Sequence, residues 1–358
     1  MNHRASYLPR KWQGRLGTLP PFPGKFRALD GAAKVTRWLR GNERAVKLWP
    51  QAPFYVDLND RIQRQMWMGC YEPHVSRCLT ALLCPGHAFL DVAAHIGYHS
   101  YFAAGLVGAV GAVYSFETDP AVYKRLSRNL SSFPWARAQN AAVWHSTSSL
   151  EFERSFSSSE SGWGALTAVR DFGKGEHIRV NALALDEWEN AARPSRIDAI
   201  KMDAEGSELS ILAGAQTTLQ KFRPPILVEI SALLLKQAGS SASALASELT
   251  RLKYHIFVLE YARFTPFTEI PDYQFVDCLC TPEERTEELC GKIGEARLPK
   301  MIGLRINSSQ VYSPSARIVP ELSLPRLLNL TNSDRRHSFS YCSKSAEPLS
   351  TLDLKESV

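Results

Sequence analysis

Residues 89–100 read F-L-D-V-A-A-H-I-G-Y-H-S, and this stretch determines the fold that we predict for the chain. The apolar run 88–92 predicts a buried strand with Asp91 near its end, and residues 97–106 predict a helix after a short loop. In an open parallel sheet, ligands bind beyond the carboxyl ends of the strands, where loop amides and helix N-termini converge. The stretch therefore predicts a small-molecule site at the end of this strand.

Strands and helices alternate on both sides of this stretch. Asp119 and Pro120 are typical of a helix start, as N-cap and first helical residue. The alternation predicts an α/β fold, with a mostly parallel sheet, helices on both faces and an antiparallel strand at one edge. We predict further strands at 112–116, 138–143, 197–202, 226–230, 255–259 and 275–280, and further helices at 62–69, 75–83, 120–130, 207–219 and 243–252.

The composition changes along the chain and predicts three parts. A basic, proline-punctuated extension contains one amphipathic segment at 26–39, and the last part is rich in serine and proline, which predicts disorder. The parts are residues 1–53, residues 54–306 with a core at 71–281 and a serine-rich inserted loop at about 146–178, and residues 307–358.

Charge and cysteine content exclude several classes of protein. The 358 residues carry a net charge of only +6, and the basic residues form no dense patch, so we expect no nucleic-acid partner. Residues 92–116 lack charged side chains, but their glycines and histidines favour a helix, turn and strand over a membrane span. Seven cysteines without C-x-x-C spacing and the lack of a signal peptide predict a cytoplasmic protein.

Two acids at strand ends indicate the kind of ligand. Glu117 ends the strand after Asp91, where a carboxylate can accept hydrogen bonds from both hydroxyls of a ribose. A dinucleotide would need the three loop glycines of G-x-G-x-x-G, whereas this loop has only Gly97. S-adenosylmethionine carries an amine instead of phosphates, and Asp91 suits an ammonium group. We therefore expect S-adenosylmethionine, and a nicotinamide-dependent oxidoreductase is the less favoured alternative.

A second group of polar residues lies at 200–209, in I-K-M-D-A-E-G-S-E-L. Lys201 and Asp203 share one face of the predicted strand, and Glu205 begins the turn into the next helix. Carboxylates this close together need solvent, a cation or a substrate with many hydroxyl groups. A helix N-cap explains only one of these acids, so the pattern predicts a functional role for the group.

With these motifs the chain resembles the FkbM-type S-adenosylmethionine-dependent methyltransferases. The similarity extends from about Tyr71 to Ile230 and more weakly to Cys280. It implies a seven-stranded Rossmann-like methyltransferase sheet and O-methylation of a sugar, glycolipid, polyketide or similar small hydroxyl compound. The motifs are the quoted stretch 89–100, V-Y-S-F-E-T-D-P at 113–120, N-A-A-V at 140–143, L-A-L-D-E-W at 183–188, I-K-M-D-A-E-G-S-E-L at 200–209 and R-P-P-I-L-V-E-I at 223–230.

The resemblance also implies roles for individual residues. Glu117 would bind the ribose, and Asp203 and Glu205 would face the reacting centre. The methionine part would be held by Asp91, Ala93, His95, Gly97 and Tyr98, and the adenine would be bordered by Thr118, Asp119, Asn140 and Ala142.

The cofactor loop departs from the family pattern D-x-G-A-N-x-G at two positions. Ala93 replaces the glycine, and His95 replaces the asparagine. If residue 93 needs a left-handed backbone, its β-carbon costs about 1–2 kcal/mol. A non-catalytic or decayed cofactor-binding protein is therefore the main alternative to an active enzyme.

Methyl transfer to an unactivated hydroxyl requires a general base or a metal ion. Asp203 is the first candidate for the base, with Glu205 or Glu229 orienting it and His99 as the second candidate. A divalent ion on Asp203 and Glu205 is left open, but nothing in the spacing requires one. The sequence determines neither the acceptor nor the oligomeric state.

Overall fold

The computed structural model describes residues 25–49, 52–155, 161–170, 173–260, 263–268, 270 and 275–295. These residues all belong to one of the two compact units of the chain, residues 1–312. The predicted tail at 307–358 lies outside the described residues. No described helix has both the length and the apolar content that crossing a bilayer requires.

The described elements alternate much as predicted. The helices are α1 (Lys25–Arg40), α2 (Arg61–Met68), α3 (Pro73–Leu82), α4 (Tyr98–Val107), α5 (Pro120–Leu130), α6 (Leu185–Ala192), α7 (Glu208–Ala213), α8 (Gln216–Phe222), α9 (Ala232–Gln237), α10 (Ala242–Arg251) and α11 (Thr286–Glu295). The strands are β1 (Glu43–Trp49), β2 (Ala52–Asp57), β3 (Ala88–Val92), β4 (Ala112–Glu117), β5 (Ala136–Asn140), β6 (Ala142–Val143), β7 (Ser148–Glu153), β8 (Ala165–Leu166), β9 (His177–Leu183), β10 (Ala199–Met202), β11 (Ile226–Ser231), β12 (Tyr254–Glu260), β13 (Arg263–Pro266) and β14 (Phe275–Pro282).

The main sheet has the Rossmann-like architecture that the sequence predicts. Its strand order is β13-β12-β14-β11-β10-β3-β4-β5, and the five strands from β11 to β5 are parallel. One buried cluster packs on each face, with Phe102 of α4 in one and Ile211 of α7 in the other. The predicted fold class is therefore confirmed, and β13 adds an eighth strand at one edge.

The strand β14 is antiparallel to both of its neighbours and lies inside the sheet. Cys278 pairs with Val228 of β11 on one side and with Val258 of β12 on the other. Cys278 and Cys280 are fully buried because they belong to the hydrophobic cluster on one face of the sheet. The antiparallel strand at the edge is β13. The two predicted final strands, β12 and β14, form this end of the sheet together with β13.

Two predicted elements are split. The predicted strand 138–143 is divided at Ala141 into β5 of the main sheet and β6 of a second sheet. The predicted helix 207–219 is divided into α7 and α8 at Gly214. A β-carbon on Gly214 would lie 2.3 Å from the carbonyl oxygen of Trp144, so this position needs glycine because the backbone of the second sheet passes so close.

The serine-rich insertion, predicted as a hairpin or flexible loop, contributes to a second sheet with the order β6-β9-β7-β8. This sheet has its own buried cluster, which includes Trp144, Phe152 and Val180. In β7, Ser148 is half-buried and Ser149 is exposed, whereas Phe152 and Glu153 at its end are buried, and the serines are why composition alone suggested a mobile loop.

A hairpin formed by β1 and β2 lies where the sequence predicted an extension, and the predicted boundary at residue 53/54 falls inside β2. Phe54 is fully buried, and the phenol of Tyr101 on α4 donates a 2.6 Å hydrogen bond to the carbonyl of Ala52. The hairpin is thus packed on the sheet domain.

Candidate active site

Polar side chains meet at the carboxyl ends of the parallel strands β3 and β10. Lys201 of β10 is the register partner of Asp91 of β3, so the two residues lie side by side on the same face. Asp203 follows β10 directly. Adjacent strand ends therefore bring together two motifs that lie far apart in the sequence.

The loop after β3 has an unusual backbone conformation. Ala93 has a φ of 58° and His95 a φ of 53°, in the left-handed region that L-residues rarely adopt. The loop is fastened to β4 because the amide of Ala94 donates 2.9 Å to the carbonyl of Phe116. Residue 93 therefore has the left-handed backbone in which a β-carbon is strained, and Ala93 carries that strain.

Gly97 ends this loop and begins α4. Its φ is 85°, and a β-carbon there would lie 2.5 Å from Cδ1 of Leu126 on α5. The left-handed backbone conformation favours glycine at this position, and a side chain would in addition displace Leu126. The loop thus keeps glycine at a position where a side chain would be strained and crowded.

Glu117 at the end of β4 supports the loop from below. One carboxylate oxygen accepts from the amide of His95 at 2.9 Å, and the other accepts from the amide of Asp119 at 2.9 Å. Burial raises the pKa of Glu117 to about 8, although these amide hydrogen bonds act in the opposite direction. In the ionised form each oxygen retains a second lone pair, so the carboxylate can then accept further hydroxyl groups.

Asp91 is 1% exposed and only half satisfied. Its Oδ2 accepts a 2.5 Å hydrogen bond from Ser100, whose hydroxyl accepts one from Ser115, whereas Oδ1 has no partner among the described residues. Burial raises the pKa of Asp91, and the charge of Lys201 opposes this effect. A buried carboxylate oxygen without a donor is an acceptor for a bound cationic group.

Lys201 supplies the central positive charge of the site. Its Nζ lies 3.4 Å from Oδ2 of Asp203. Burial lowers the pKa of Lys201, but the charges of Asp203, Glu72, Asp91 and Asp277 outweigh burial and raise the pKa above its usual value. The lysine thus stays charged and compensates carboxylates from four separate segments.

Glu205 occupies the turn after β10 and has a left-handed φ of 53°. Its carboxylate lies 3.9 Å from the guanidinium of Arg170, which comes from the inserted region. The side chains of Asp203 and Glu205 are 19% and 14% exposed, so both remain within reach of a ligand.

His99 lies beneath the loop and contacts the N-terminal end of α3. Its Nε2 is 2.7 Å from Oε2 of Glu72, and its Nδ1 is enclosed without a partner among the described residues. Burial raises the pKa of Glu72, but Lys201 and the hydrogen bond from His99 outweigh it and hold the pKa below its usual value. Glu72 itself has a left-handed φ of 38°.

A second histidine–carboxylate pair joins α3 to β14. The Nε2 of His74 lies 2.6 Å from Oδ2 of Asp277. Burial lowers the pKa of His74, but the hydrogen bond and the charges of Asp277 and Glu72 outweigh it and raise the pKa above its usual value. Asp277 also acts on the charge of Lys201, so the pair is electrostatically linked to the site.

The insertion reaches the loop through Ser161. Its hydroxyl lies 2.7 Å from Nε2 of His95 and donates 2.6 Å to Oδ2 of Asp60, while Oδ1 of Asp60 caps α2 by accepting from the amide of Gln63. Burial lowers the pKa of His95. The side chain of His95 therefore links the cofactor loop to the insertion and to α2.

The remaining predicted residues lie near the same strand ends but have structural contacts. The ring of Tyr98 is buried against Tyr71 and Phe54. The amide of Asn140 donates to the carbonyls of Glu117 and Thr118 at 2.8 and 3.0 Å. Ala142 is buried in β6, beside the end of β5. The structure thus places all predicted site residues at one end of the sheet.

The match to known families agrees with the motifs. The family model of the methyltransferase FkbM domain covers residues 91–256. This part of the chain is an FkbM methyltransferase domain. The cofactor of this family is S-adenosylmethionine, as the motifs predicted. No curated protein matches the sequence at a significant level.

Solved structures with a similar fold include three methyltransferases. The FkbM methyltransferase of Methylobacillus flagellatus is 16% identical, with a TM-score of 0.35 over 61% of this chain and 54% of that chain. Precorrin-6y C5,15-methyltransferase of Geobacter metallireducens is 14% identical, with a TM-score of 0.35 over 59% and 89%. Aeropyrum pernix fibrillarin, with bound S-adenosylmethionine, is 12% identical, with a TM-score of 0.35 over 58% and 73%. Likenesses this distant leave the acceptor undetermined.

The residues of the FkbM domain fit S-adenosylmethionine. The unpartnered oxygen of Asp91 suits an ammonium group, and Glu117 retains acceptor capacity for hydroxyl groups. A pyrophosphate would instead face the carboxylates of Asp91 and Asp203. Within the described residues, no group of three or more histidines, cysteines and acids could hold a metal ion.

Sequence reasoning missed His74, Asp277 and the tether through Ser161. The His74–Asp277 contact joins residues 203 positions apart in the chain. The one available signal was Asp277 itself, the only acid in the apolar strand F-V-D-C-L-C. Ser161 gave no signal, because it is one of many serines in the insertion.

Proposed function

We propose that this FkbM domain transfers a methyl group to a hydroxyl of a sugar, glycolipid or polyketide-like compound. The observation that carries the proposal is the position of Asp203, partly exposed at the end of β10 and ion-paired with the buried Lys201. A carboxylate at this point can accept a proton from an acceptor hydroxyl. The neighbouring acids Glu205 and Glu72 offer further acceptors for a polyhydroxyl substrate.

Asp91, the loop 93–97 and Glu117 would hold the cofactor, with Thr118, Asn140 and Ala142 near its adenine. When bound, S-adenosylmethionine supplies an electrophilic methyl group on a sulfonium centre. The chain must position the acceptor and remove its proton. Asp203 would accept the proton of the acceptor hydroxyl, and Lys201 would balance the charge of Asp203 beforehand. The bound cofactor would supply the methyl group, with its C–S bond broken, and would leave as the neutral thioether S-adenosylhomocysteine.

His99 remains the second candidate for the base. Its Nε2 is engaged by Glu72, and its Nδ1 is enclosed. These contacts support a positioning role, in which His99 holds Glu72 at the wall of the site. Glu205, held beside Arg170, would orient the acceptor.

The experiment combines cofactor binding with turnover. The purified protein is titrated with S-adenosylmethionine by calorimetry, then incubated with methyl-labelled cofactor and extracted glycans and lipids. We expect Asp203→Asn to bind the cofactor within about twofold of wild type and to lose turnover by about 10²–10⁴-fold. Glu187→Gln, an exposed residue of α6, is the control and should change neither quantity.

The alternative is a domain that binds the cofactor without turnover, and the left-handed Ala93 and His95 favour it. This alternative predicts that calorimetry detects binding of S-adenosylmethionine but that no fraction of the extracted glycans and lipids receives the labelled methyl group. Unchanged turnover in Asp203→Asn would instead contradict the role of Asp203 as the base.

A further inference from the structure

The outer face of α1 is exposed and apolar. Trp38 is 84% exposed, Leu39 63% and Val35 57%, and their spacing of three and four residues places them on one side of the helix. Three of the five most exposed large hydrophobic residues in the described part of the chain lie on this helix. We call Val35, Trp38 and Leu39 the α1 stripe.

Positive charge surrounds the α1 stripe. Lys34 and Arg40 are exposed on the same helix, and Arg37 and Arg44 lie nearby, half-buried. The acid Asp30 is already paired, since Nε of Arg64 on α2 lies 2.9 Å from its carboxylate. The stripe thus has basic neighbours and no unpaired acid beside it among the described residues of α1.

The inner face of α1 is attached to the segment that precedes α2. Ala33 is fully buried, and the guanidinium of Arg37 donates 2.8 Å to the side chain of Asn59. Asn59 precedes Asp60, the residue that binds Ser161 and so reaches His95. The α1 stripe therefore faces outward from a helix that is anchored next to the cofactor loop.

We propose that α1 docks on an anionic lipid surface and lies in its interface. A helix with an apolar face, flanking lysines and arginines and a tryptophan matches such a surface. The apolar side chains would enter the boundary of the acyl chains, and Lys34 and Arg40 would contact the anionic headgroups. Docking would hold the segment before α2, and the cofactor loop linked to it through Ser161, at the lipid surface.

Two other occupants fit less well. A second copy of the chain would bring the same cations, Lys34 and Arg40, against each other, and like charges repel. A nucleic acid would use the cations and the ring of Trp38 but would not bury Val35 and Leu39.

The test uses the full chain and vesicles, without methyl donor or acceptor, so its outcome is independent of the proposed activity. We expect sedimentation with vesicles of phosphatidylglycerol and phosphatidylcholine, and about tenfold less with phosphatidylcholine alone. Lys34→Gln and Arg40→Gln should each weaken binding about fivefold. The matched control, Lys124→Gln with Lys253→Gln, replaces exposed lysines elsewhere and should leave binding unchanged.

The apolar contribution is tested separately. Combined Val35→Ala, Trp38→Ala and Leu39→Ala substitutions should reduce vesicle binding more than tenfold, whereas Val110→Ala, at an equally exposed turn, should not. Thermal unfolding checks that each variant folds.

Three results would overturn the proposal. One is equal vesicle binding by the stripe variants and the controls. Another is oligonucleotide binding that is lost in Arg40→Gln while vesicle binding is absent. The third is a dimer in size-exclusion chromatography that dissociates in Trp38→Ala without any lipid binding.

Discussion

Ala93 combines a common side chain with a rare backbone conformation. Its φ of 58° lies where a β-carbon approaches the carbonyl oxygen, and family members have glycine at this place in the motif. The amide of the next residue, Ala94, nevertheless donates a hydrogen bond to Phe116 of β4, so the fold holds Ala93 in this conformation.

We predict that Ala93→Gly stabilises the protein by about 0.5–1 kcal/mol. Relief of about 1–2 kcal/mol of left-handed strain exceeds the cost of about 0.4–1 kcal/mol from a more flexible unfolded chain. Chemical unfolding measures the difference. The control is Ala94→Gly, which removes a buried methyl group outside the left-handed region and should destabilise. A stability loss in Ala93→Gly equal to that in Ala94→Gly would contradict the prediction.

Glu117 predicts a dependence of stability on pH. Because burial raises its pKa to about 8, above its ordinary value, the folded state binds its proton more tightly than the unfolded state. Its contribution to stability is then fully present below about pH 4.5 and is lost as the pH rises through 8. Each pKa unit corresponds to about 1.4 kcal/mol, so the loss amounts to a few kcal/mol.

Glu117→Gln should remove this dependence. We expect the unfolding free energy of wild type minus that of the variant to decrease between pH 4.5 and 9, as measured by urea unfolding. Glu187→Gln, on the surface of α6, serves as the control. A difference that stays constant over this range would show that Glu117 has an ordinary pKa.

At the scale of elements, the His74–Asp277 pair fastens α3 to β14. The pKa of His74 is raised in the folded protein, so the pair contributes fully below about pH 6.5 and loses its contribution as the pH rises through the raised pKa. The charge of Glu72, the residue before α3, also raises the pKa of His74.

We predict that His74→Gln lowers the unfolding free energy by about 1–3 kcal/mol at pH 6 and by less at pH 9. Asp277→Asn should have a similar effect, and the double variant should lose less than the sum of the two, because both substitutions break one contact. Urea unfolding at the two pH values measures this. His145→Gln, an exposed histidine, is the control. Additive losses would mean that the two residues act independently.

At the scale of the whole molecule, the buried charge of Lys201 compensates carboxylates that come from distant elements. It is 6% exposed, and carboxylates from the N-terminal end of α3, from β3, from β14 and from the segment after β10 act on it. Removing one partner of a buried ion pair leaves uncompensated charge.

We predict that Lys201→Met lowers the unfolding free energy by about 3–5 kcal/mol at pH 7.5. The loss should shrink at pH 5, where carboxylates that lack their cation bind protons. Lys124→Met on the surface of α5 should be neutral. If the loss at pH 5 equals the loss at pH 7.5, lost packing and not charge explains the effect.

The sequence alone determined the order of the strands β3, β4, β10, β11, β12 and β14, the start of α5 at Asp119 and Pro120, and the strand-end positions of Asp91 and Glu117. Periodicity and capping act between residues close in the chain, so they can be seen without a structure. Only the tertiary structure decided that β14 lies inside the sheet, that Ser161 reaches His95, and that His74 meets Asp277. Those contacts depend on strand register and on the packing of distant segments, and neither leaves a local pattern in the sequence.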